Sequence, residues 1–332
     1  MNKANISKRK ILTVLAVFLL LVMLFSAAMF FIKLWESKQG GFKEPGEDKL
    51  ETFLEYDGKK YNLNKDLETV LFIGRDKFES NVNNSAYNND QQADFLMLLV
   101  IDNESSSYVG IHINRDTMAS INVLGVAGEK IDTVVKQIAL SHTYGNGEQV
   151  SCRNTSDAVS ALLGNIKIDH YVSLTMDAVP IVNDSVGGVE VTVLDDFSGI
   201  DPTLVKDETV TLKGDQSLTY VRSRQGMDDA TNQNRMRRQR QYLNELYKKC
   251  VEYASADENY IVDLSLKLSD HIISDCSVNK LQKLFTKITD YELENILNIE
   301  GEIAKGKEFV EFYPDEDALQ KLIVDTFYIP EN

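Results

Sequence analysis

Short runs of apolar residues recur along the chain between polar turn residues. Thr69–Ile73 (TVLFI), Phe95–Ile101 (FLMLLVI) and Tyr108–Ile113 (YVGIHI) are apolar without alternation, which predicts strands covered on both faces. The third run follows the second after a short turn, and we expect the two to pair antiparallel. Two more strands are predicted at Tyr171–Leu174 and Val189–Leu194.

Segments with apolar residues at helical spacing lie between and after these strands. The predicted helices are Lys130–His142, a helix capped by Thr155 or Ser156 that runs to Leu163, Asp177–Ser185, a short helix from Asp215, Asn234–Val251, Leu264–Ile273, Val278–Thr289 and Asp315–Phe327. Asp57-Gly58 indicates a hairpin within Phe53–Asn62. Strands interleaved with helices predict a three-layer α/β/α sandwich with a mixed central sheet.

The N-terminus is predicted to cross a membrane. Ile11–Ile32 contains no charged residue and is long enough to span a bilayer, and the basic residues before it favour a cytoplasmic N-terminus with the rest of the chain extracellular. A cleaved signal peptide is the competing interpretation, because Ser26-Ala27-Ala28 is a run of small residues. The predicted organisation is a cytoplasmic tail 1–10, a transmembrane helix 11–32, a linker and hairpin 33–60, a catalytic domain 61–250 and a helical C-terminal part 251–332.

Composition narrows the classes of function. A formal net charge of −16 over 332 residues argues against nucleic acid as a partner. Cys152, Cys250 and Cys276 show no zinc-binding spacing, and their disulfide state stays open. The chain has 4 histidines, so few residues are available for histidine-based catalysis.

Six of the ten arginines fall within residues 222–240. Arg222 and Arg224 share one face of an extended segment. On the helix that follows, Arg235 and Arg238 share one flank of the apolar stripe, with Gln239 between them and the core. Guanidinium groups match phosphate or carboxylate, so four convergent arginines indicate an anion with more than one charge, such as a diphosphate. The two remaining arginines, interpreted as surface residues, are Arg237 and Arg240.

Polar side chains also occur at three strand ends. Asp76 follows the first strand, Asp94 precedes the second and Arg115 follows the third. Ligands gather at strand ends in sheets covered by helices, and two carboxylates there are suited to a Mg²⁺ ion shared with a diphosphate. A turn or capping role is the alternative for each acid.

Taken together, these segments resemble the LytR-CpsA-Psr family of cell-wall glycopolymer transferases. The resemblance covers roughly residues 71–246, and the order and spacing of its pieces are specific. The matching pieces are LFIGRD at Leu71–Asp76, ADFLMLLVID at Ala93–Asp102, INRDT at Ile113–Thr117, IDHYVSLTMDAV at Ile168–Val179, VGGVEVTV at Val186–Val193, LKGDQSLTYVRSR at Leu212–Arg224 and RMRRQRQ at Arg235–Gln241.

The resemblance implies an extracytoplasmic phosphotransferase. Such an enzyme moves a glycopolymer, for example a teichoic acid or a capsular polysaccharide, from a polyprenyl-diphosphate carrier onto peptidoglycan through a phosphodiester bond. It implies a cavity for the polyprenyl tail, Asp76 and Asp94 as Mg²⁺-associated acids, and Arg115 as a third catalytic residue. The residues implied to bind the diphosphate are Arg115, Arg222, Arg224, Arg235, Arg238 and Gln239.

Three positions depart from the family's pattern. Gln92 stands where an arginine is usual, Asn114 where a proline is usual, and Asn232 where an acid is usual, with Asp228 and Asp229 just upstream. These departures leave the identity of the general base open. Two other functions also stay open, a polyprenyl-diphosphate pyrophosphatase and a non-catalytic polyprenyl-phosphate-binding regulator of the cell envelope. A cytoplasmic tail of about ten residues is too short for a folded output domain, which argues against the regulator.

Overall fold

The computed structural model describes residues 52–75, 91–224, 226–227, 231–306 and 309–331. The strands are β1 Phe53–Tyr56, β2 Lys59–Leu63, β3 Leu67–Arg75, β4 Ala93–Asp102, β5 Ser107–Ile113, β6 Met118–Leu124, β7 Lys130–Gln137, β8 His170–Thr175, β9 Val189–Thr192, β10 Thr209–Leu212, β11 Ile272–Ser274, β12 Glu292–Asn298, β13 Gly301–Lys305, β14 Val310–Pro314 and β15 Tyr328–Pro330. The α-helices are α1 Gln149–Leu162, α2 Ala178–Ser185, α3 Asp215–Arg222, α4 Asn232–Ala256, α5 Tyr260–Leu268, α6 Val278–Asp290 and α7 Glu316–Phe327.

A six-stranded sheet in the order β11-β8-β3-β4-β5-β12 forms the centre of the fold. Neighbours β3 and β4, and β4 and β5, are antiparallel, whereas β8 runs parallel to β3 and β12 runs parallel to β5. The predicted mixed sheet with helices is therefore confirmed. Because β3, β5, β8 and β12 all run in one direction, their C-terminal ends share one edge of the sheet.

Alternate side chains of the central strands enter two separate apolar layers. Leu71 and Leu98 belong to a layer that includes residues of α1 and α7. Val70 and Val172 belong to a layer with Leu284 of α6. The sheet thus buries both faces under helices, which explains why its strands are apolar throughout rather than alternating.

The hairpin expected at residues 53–62 is also present. Strands β1 and β2 pair antiparallel across Asp57 and Gly58, and both turn residues have a positive φ, of 50° and 70°. This is the backbone that a two-residue hairpin turn requires, and it explains the Asp-Gly sequence.

Two helix predictions were wrong. Residues 130–137 form strand β7, paired with β6, and a 3-10 helix follows at Ile138–Tyr144. The β-branched residues of this stretch suit a strand, and the pairing with β6 decides between the two conformations. Helix α1 begins at Gln149, so Thr155 and Ser156 lie inside it. Their hydroxyls donate to backbone carbonyls four residues earlier instead of capping the helix.

The C-terminal part is mixed rather than helical. Helices α6 and α7 lie where expected, and Asp315 caps α7. The helix predicted at Leu264–Ile273 instead ends at Leu268, after which the chain enters β11. Strands β11 and β12 form the two edges of the central sheet, so this part of the chain completes the sheet. Short edge strands take their conformation from distant partners, which a local pattern does not reveal.

Some predictions concern residues that the structure does not describe. The proposed transmembrane segment Ile11–Ile32, the acid Asp76 and the pair Asp228 and Asp229 lie outside the described ranges. Within those ranges, no helix has the length and apolar character needed to cross a membrane.

A close backbone approach at Gly188 gives a test of this fold. Its φ is +98°, and a Cβ atom there would lie 2.7 Å from the carbonyl oxygen of Leu212, between α2 and the β9–β10 ribbon. We expect Gly188→Ala to lower the free energy of unfolding by about 2–3 kcal/mol, because both conformation and contact oppose a side chain. Gly58→Ala, with φ +70° and open space around its Cβ, should cost about 1 kcal/mol. If chemical denaturation showed the same loss of unfolding free energy for both substitutions, the close backbone contact at Gly188 would be contradicted.

Candidate functional site

The polar strand ends meet at the edge where β3, β5, β8 and β12 finish. Arg75 is the last residue of β3, Asp94 lies at the start of β4, and Arg115 follows β5 by two residues. Because β4 runs antiparallel to β3 and β5, its beginning lies beside their ends. The sheet topology therefore brings Asp94 and Arg115 together, as the sequence predicted.

Arg115 is held by three acceptors. One Nη atom forms an ion pair with Asp94 and the other donates a hydrogen bond to Oε1 of Gln92. Its Nε lies 3.4 Å from Oδ1 of Asp116. The family usually has an arginine at position 92, and an arginine side chain has no acceptor atom. Gln92 lacks that positive charge, and its amide oxygen accepts a hydrogen bond from Arg115 instead.

The N-terminal turn of α4 adds a second arginine to Asp94. Thr231 caps this helix, and Nη2 of Arg235 donates to the backbone carbonyl of Asp94 at 3.2 Å. Nη1 of Arg224 approaches Oδ2 of Asp116 at 3.8 Å. Burial and the neighbouring guanidinium groups of Arg115 and Arg224 lower the pKa of Arg235. We name Asp94, Arg115, Asp116, Arg224 and Arg235 the arginine centre.

Arg238 occupies a different environment from the one predicted. Its side chain is 1% exposed, and it donates to the carbonyls of Tyr220 and Ser223 and to Oδ2 of Asp195, the last at 2.5 Å. Its guanidinium carbon lies 5.3 Å from the centre of the Phe197 ring. In this arrangement Arg238 fixes the end of α3 and the residues after it. Its contact with a diphosphate stays a prediction.

The other predicted residues lie around this anchored segment. Arg222 is exposed and ends α3, so the prediction that it lies with Arg224 in an extended segment was wrong. Gln239 is buried, and its Nε2 donates to the carbonyl of Val221 at 3.1 Å. Arg238 and Gln239 thus bind successive carbonyls at the end of α3. Together they determine the direction from which Arg222 and Arg224 leave the helix.

An apolar cavity of about 330 Å³ adjoins the arginine centre. Gln239 and Val221 line it, so its wall includes residues that support the arginine segment. The rest of its wall is almost entirely apolar and comes from the central sheet and from α2, α4, α5 and α6. Among the lining residues are Phe72, Phe95, Leu99, Leu174, Val179, Leu243, Leu246, Leu264 and Ile288.

Two buried histidines near the site are uncharged. Burial, with Arg240 and Arg235 nearby, lowers the pKa of His112 to about 3. Burial also lowers the pKa of His142 to about 4, and its Nδ1 donates to the carbonyl of Gln91 at 2.7 Å. Cys152 lies 3.8 Å from Nε2 of His142. Burial raises the pKa of this thiol to about 11, which excludes a reactive thiolate–imidazolium pair.

Two supporting residues, Asp116 and Asp195, were missed in the sequence, and a third, Asn232, was noted there only as a departure from the family's pattern. Asp116 lies beside Arg115 in the INRDT segment, where its position was the available signal. Asp195 comes from the β9–β10 connection, 43 residues before Arg238, and no local pattern marks it. Asn232 donates to Oδ1 of Asn114 at 2.5 Å and ties the start of α4 to the end of β5. Two positions that depart from the family's pattern therefore form one contact.

The donor atoms at the centre suit a hard cation. Asp94 presents carboxylate oxygens beside the arginines, the type of ligand that Mg²⁺ prefers, and a diphosphate would supply further oxygens. Among the described residues, a different group has metal-ligand spacing, namely His170, Asp275 and Cys276. It lies at the opposite end of β8 and is separate from the arginine centre.

The anchoring role of Asp195 leads to a stability prediction. Its side chain is 15% exposed and pairs with Arg238 and, at 2.9 Å, with Arg237. Asp195→Ala leaves the Arg238 guanidinium buried without its carboxylate, so we expect a loss of about 3 kcal/mol in the free energy of unfolding. Asp196→Ala removes a neighbouring exposed carboxylate that accepts a turn hydrogen bond from the Ser198 N–H, and it should cost much less than Asp195→Ala. Equal effects of the two substitutions in thermal or chemical unfolding would contradict this role.

Comparisons with known proteins agree with this architecture. A transferase from Halalkalibacterium halodurans named polyisoprenyl-teichoic acid–peptidoglycan teichoic acid transferase TagU is 30% identical over 164 residues, 49% of each chain. The Enterococcus faecalis protein of the same name is 27% identical over 67% of this chain and 65% of its own length. The chain thus spans about half to two thirds of these relatives.

Solved structures show the same fold. Bacillus subtilis TagV has a TM-score of 0.57 at 21% identity, covering 80% of this chain and 98% of that chain. Bacillus subtilis TagT has a TM-score of 0.57 at 20% identity, covering 84% and 96%. The model of the LytR_cpsA_psr family matches residues 37–322. The chain therefore belongs to the LytR_cpsA_psr family.

Proposed function

We propose that this protein transfers a glycopolymer from a polyprenyl-diphosphate carrier onto peptidoglycan through a phosphodiester bond. The observation that carries the proposal is the closeness of the apolar cavity to the arginine centre. Phe95, the residue after Asp94, lines the cavity, and so does Gln239, one helical turn after Arg235 on α4. A polyprenyl diphosphate has the same two parts, a multiply charged head and an apolar chain. The names of the relatives, which are teichoic acid transferases, support the same assignment.

The arginine centre binds the charged head in this proposal. Arg115, Arg224 and Arg235 gather around two carboxylates. Burial first, and then the guanidinium groups of Arg115 and Arg224, lower the pKa of Arg235. A diphosphate relieves that repulsion and accepts paired N–H donors. Preorganised guanidinium groups also stabilise the charge that develops on the leaving phosphate.

The reaction breaks the phosphoanhydride bond of the carrier diphosphate and forms a new phosphoester bond to the acceptor. A hydroxyl of the acceptor attacks the phosphorus next to the sugar, the bond to the bridging oxygen breaks, and polyprenyl phosphate leaves with the bonding electrons. The acceptor's proton passes to a base, for which Asp94 and Asp76 are the candidates. Positioning and electrostatics supply most of the rate increase in this class of reaction.

Asp94 and Asp76 also form the candidate Mg²⁺ site. When bound there, the ion would neutralise part of the diphosphate charge. An acid that ligates the ion is a weaker base, so whichever of the two acids accepts the proton does not ligate the ion in that step.

The apolar cavity receives the carrier chain. Its wall combines aliphatic and aromatic side chains from both the sheet and α4, for example Phe95 and Leu246. Each buried methylene group contributes about 0.8 kcal/mol, so a few isoprene units rival the arginines in affinity. This division lets the apolar chain supply binding while the arginine centre acts on the reacting phosphates.

The proposed location is the outer face of the cell membrane. The uncharged segment Ile11–Ile32 would anchor a three-layer catalytic domain whose carrier substrate lies in the same membrane. Basic residues before the anchor place the N-terminus in the cytoplasm.

Binding of a polyprenyl diphosphate tests this proposal. Arg224→Ala removes one guanidinium from the centre without exposing a buried core, because this side chain is 37% exposed. We expect the dissociation constant to rise at least tenfold, the equivalent of about 1.5 kcal/mol for a charge-assisted contact. Arg153→Ala removes an exposed arginine of α1 and is the matched control.

The measurement is a fluorescence titration of the full chain in detergent micelles. A short-chain diphosphate should bind more weakly than a long-chain one, because it leaves the cavity unfilled. If Arg224→Ala left the dissociation constant unchanged and both chain lengths bound with equal affinity, this site would be excluded as the carrier site.

A further inference from the structure

A second recess lies along another face of α4. It is a groove of about 670 Å³ between the N-terminal half of α4 and the turn that follows β12. The two arginines that were interpreted as ordinary surface residues both line it. The residues that define it are Asn114, Arg237, Arg240, Asn298, Glu300 and Glu302.

The groove lies at the same edge of the sheet as the arginine centre. Asn114 follows β5 and Asn298 ends β12, and these strands are parallel neighbours. Asn114 is also the residue before Arg115, and Asn232 at the start of α4 donates to it. One wall of the groove is therefore one residue away from the arginine centre.

Helix α4 separates the two recesses and contributes to both. Leu243 and Leu246 line the apolar cavity, whereas Met236 and Arg237 line the groove. Arg235 reaches the carbonyl of Asp94 in the arginine centre. A ligand in the groove thus approaches the arginine centre along a different wall of α4 from a chain in the cavity.

Polar groups of both signs line the groove. The amide side chains of Asn234 and Asn298 offer polar atoms suited to sugar hydroxyl and acetamido groups, whereas Asn114 is buried and its Oδ1 accepts from Asn232. Nη1 of Arg240 donates to Asn298 at 2.6 Å and fixes one side of the groove. Two arginines, of which Arg237 also pairs with Asp195, line the groove together with three carboxylates. The carboxylates are those of Glu300, Glu302 and Asp315.

This charge distribution distinguishes the donor glycan, which is attached to the carrier, from the acceptor saccharide of peptidoglycan. A phosphate-rich glycan attached to the carrier would be repelled by a groove in which carboxylates outnumber arginines. An amine-bearing saccharide–peptide, with hydroxyl, acetamido, carboxylate and ammonium groups, finds a partner for each of them.

We propose that this groove binds the acceptor, an amine-bearing saccharide–peptide of peptidoglycan. The inference rests on the proposed function and adds to it the place from which the acceptor hydroxyl enters. In this arrangement the carrier chain and the acceptor lie along different, adjoining faces of α4. The reacting phosphates lie between them at the arginine centre.

Direct binding of a soluble disaccharide–peptide fragment of peptidoglycan tests the groove without catalysis. The full chain in detergent micelles is titrated by calorimetry with no carrier present. Glu302→Lys reverses one exposed charge of the groove, and we expect the dissociation constant to rise at least fivefold, with a smaller rise for Glu302→Gln. Glu292→Lys makes the same change at the opposite end of β12 and should bind as the wild type does.

The outcomes test the groove and the proposed function independently of each other. Wild-type binding that weakens in both Glu302 variants and not in Glu292→Lys supports the groove. No fragment binding, or the same affinity in all four proteins, overturns it. A parallel titration with polyprenyl diphosphate should be unchanged by Glu302→Lys. Failure of that carrier titration in the wild type would contradict the proposed function while leaving the fragment result to decide the groove.

Discussion

The concentration of guanidinium charge at one edge of the central sheet is the constraint on which the site depends. Like charges at such short range repel one another, and burial of Arg235 increases the cost. The structure distributes carboxylates among them, with Asp94 and Asp116 beside Arg115 and Arg224. The compensation is incomplete, which is the property that a site for a multiply charged anion needs.

Other parts of the fold hold this charge in place. Arg238, buried against Phe197 and paired with Asp195, links α4 to the end of α3 and to the β9–β10 connection. The contact between Asn232 and Asn114 links α4 to β5. Helix α4 is therefore fixed at both sides of the arginine centre, and its remaining faces form walls of an apolar cavity and a polar groove.

The central strands and the closeness of Arg224 and Arg235 were predictable from the sequence because their signals are local. Buried strands are continuous apolar runs, and the spacing of Arg224 and Arg235 around a turn is visible in the chain. The edge strands β11 and β12 were not predictable in this way, since each gains its conformation from a partner about a hundred residues or more away. Strand β7 was missed because an exposed two-stranded ribbon lacks a clear apolar pattern.

The same distinction applies to the site. Helical spacing places Arg238 on the flank of α4 but does not show which acceptor it meets. Asp195 determines that choice from a loop 43 residues away, and it makes Arg238 an internal support in this structure. Asp116 is next to Arg115 in the sequence. Its role in the site depends on its contact with Arg224, which lies near it only in the folded chain.

The most direct test of the central claim follows the phosphate next to the sugar. A polyprenyl-diphosphate-linked glycan labelled on that phosphate is incubated with the full-length protein, Mg²⁺ and peptidoglycan. The account predicts that the label appears on peptidoglycan in a bond stable to phosphomonoesterase, with one polyprenyl phosphate released for each transfer. Release of the label as free glycan phosphate, at the same rate with and without peptidoglycan, would contradict it and indicate a pyrophosphatase.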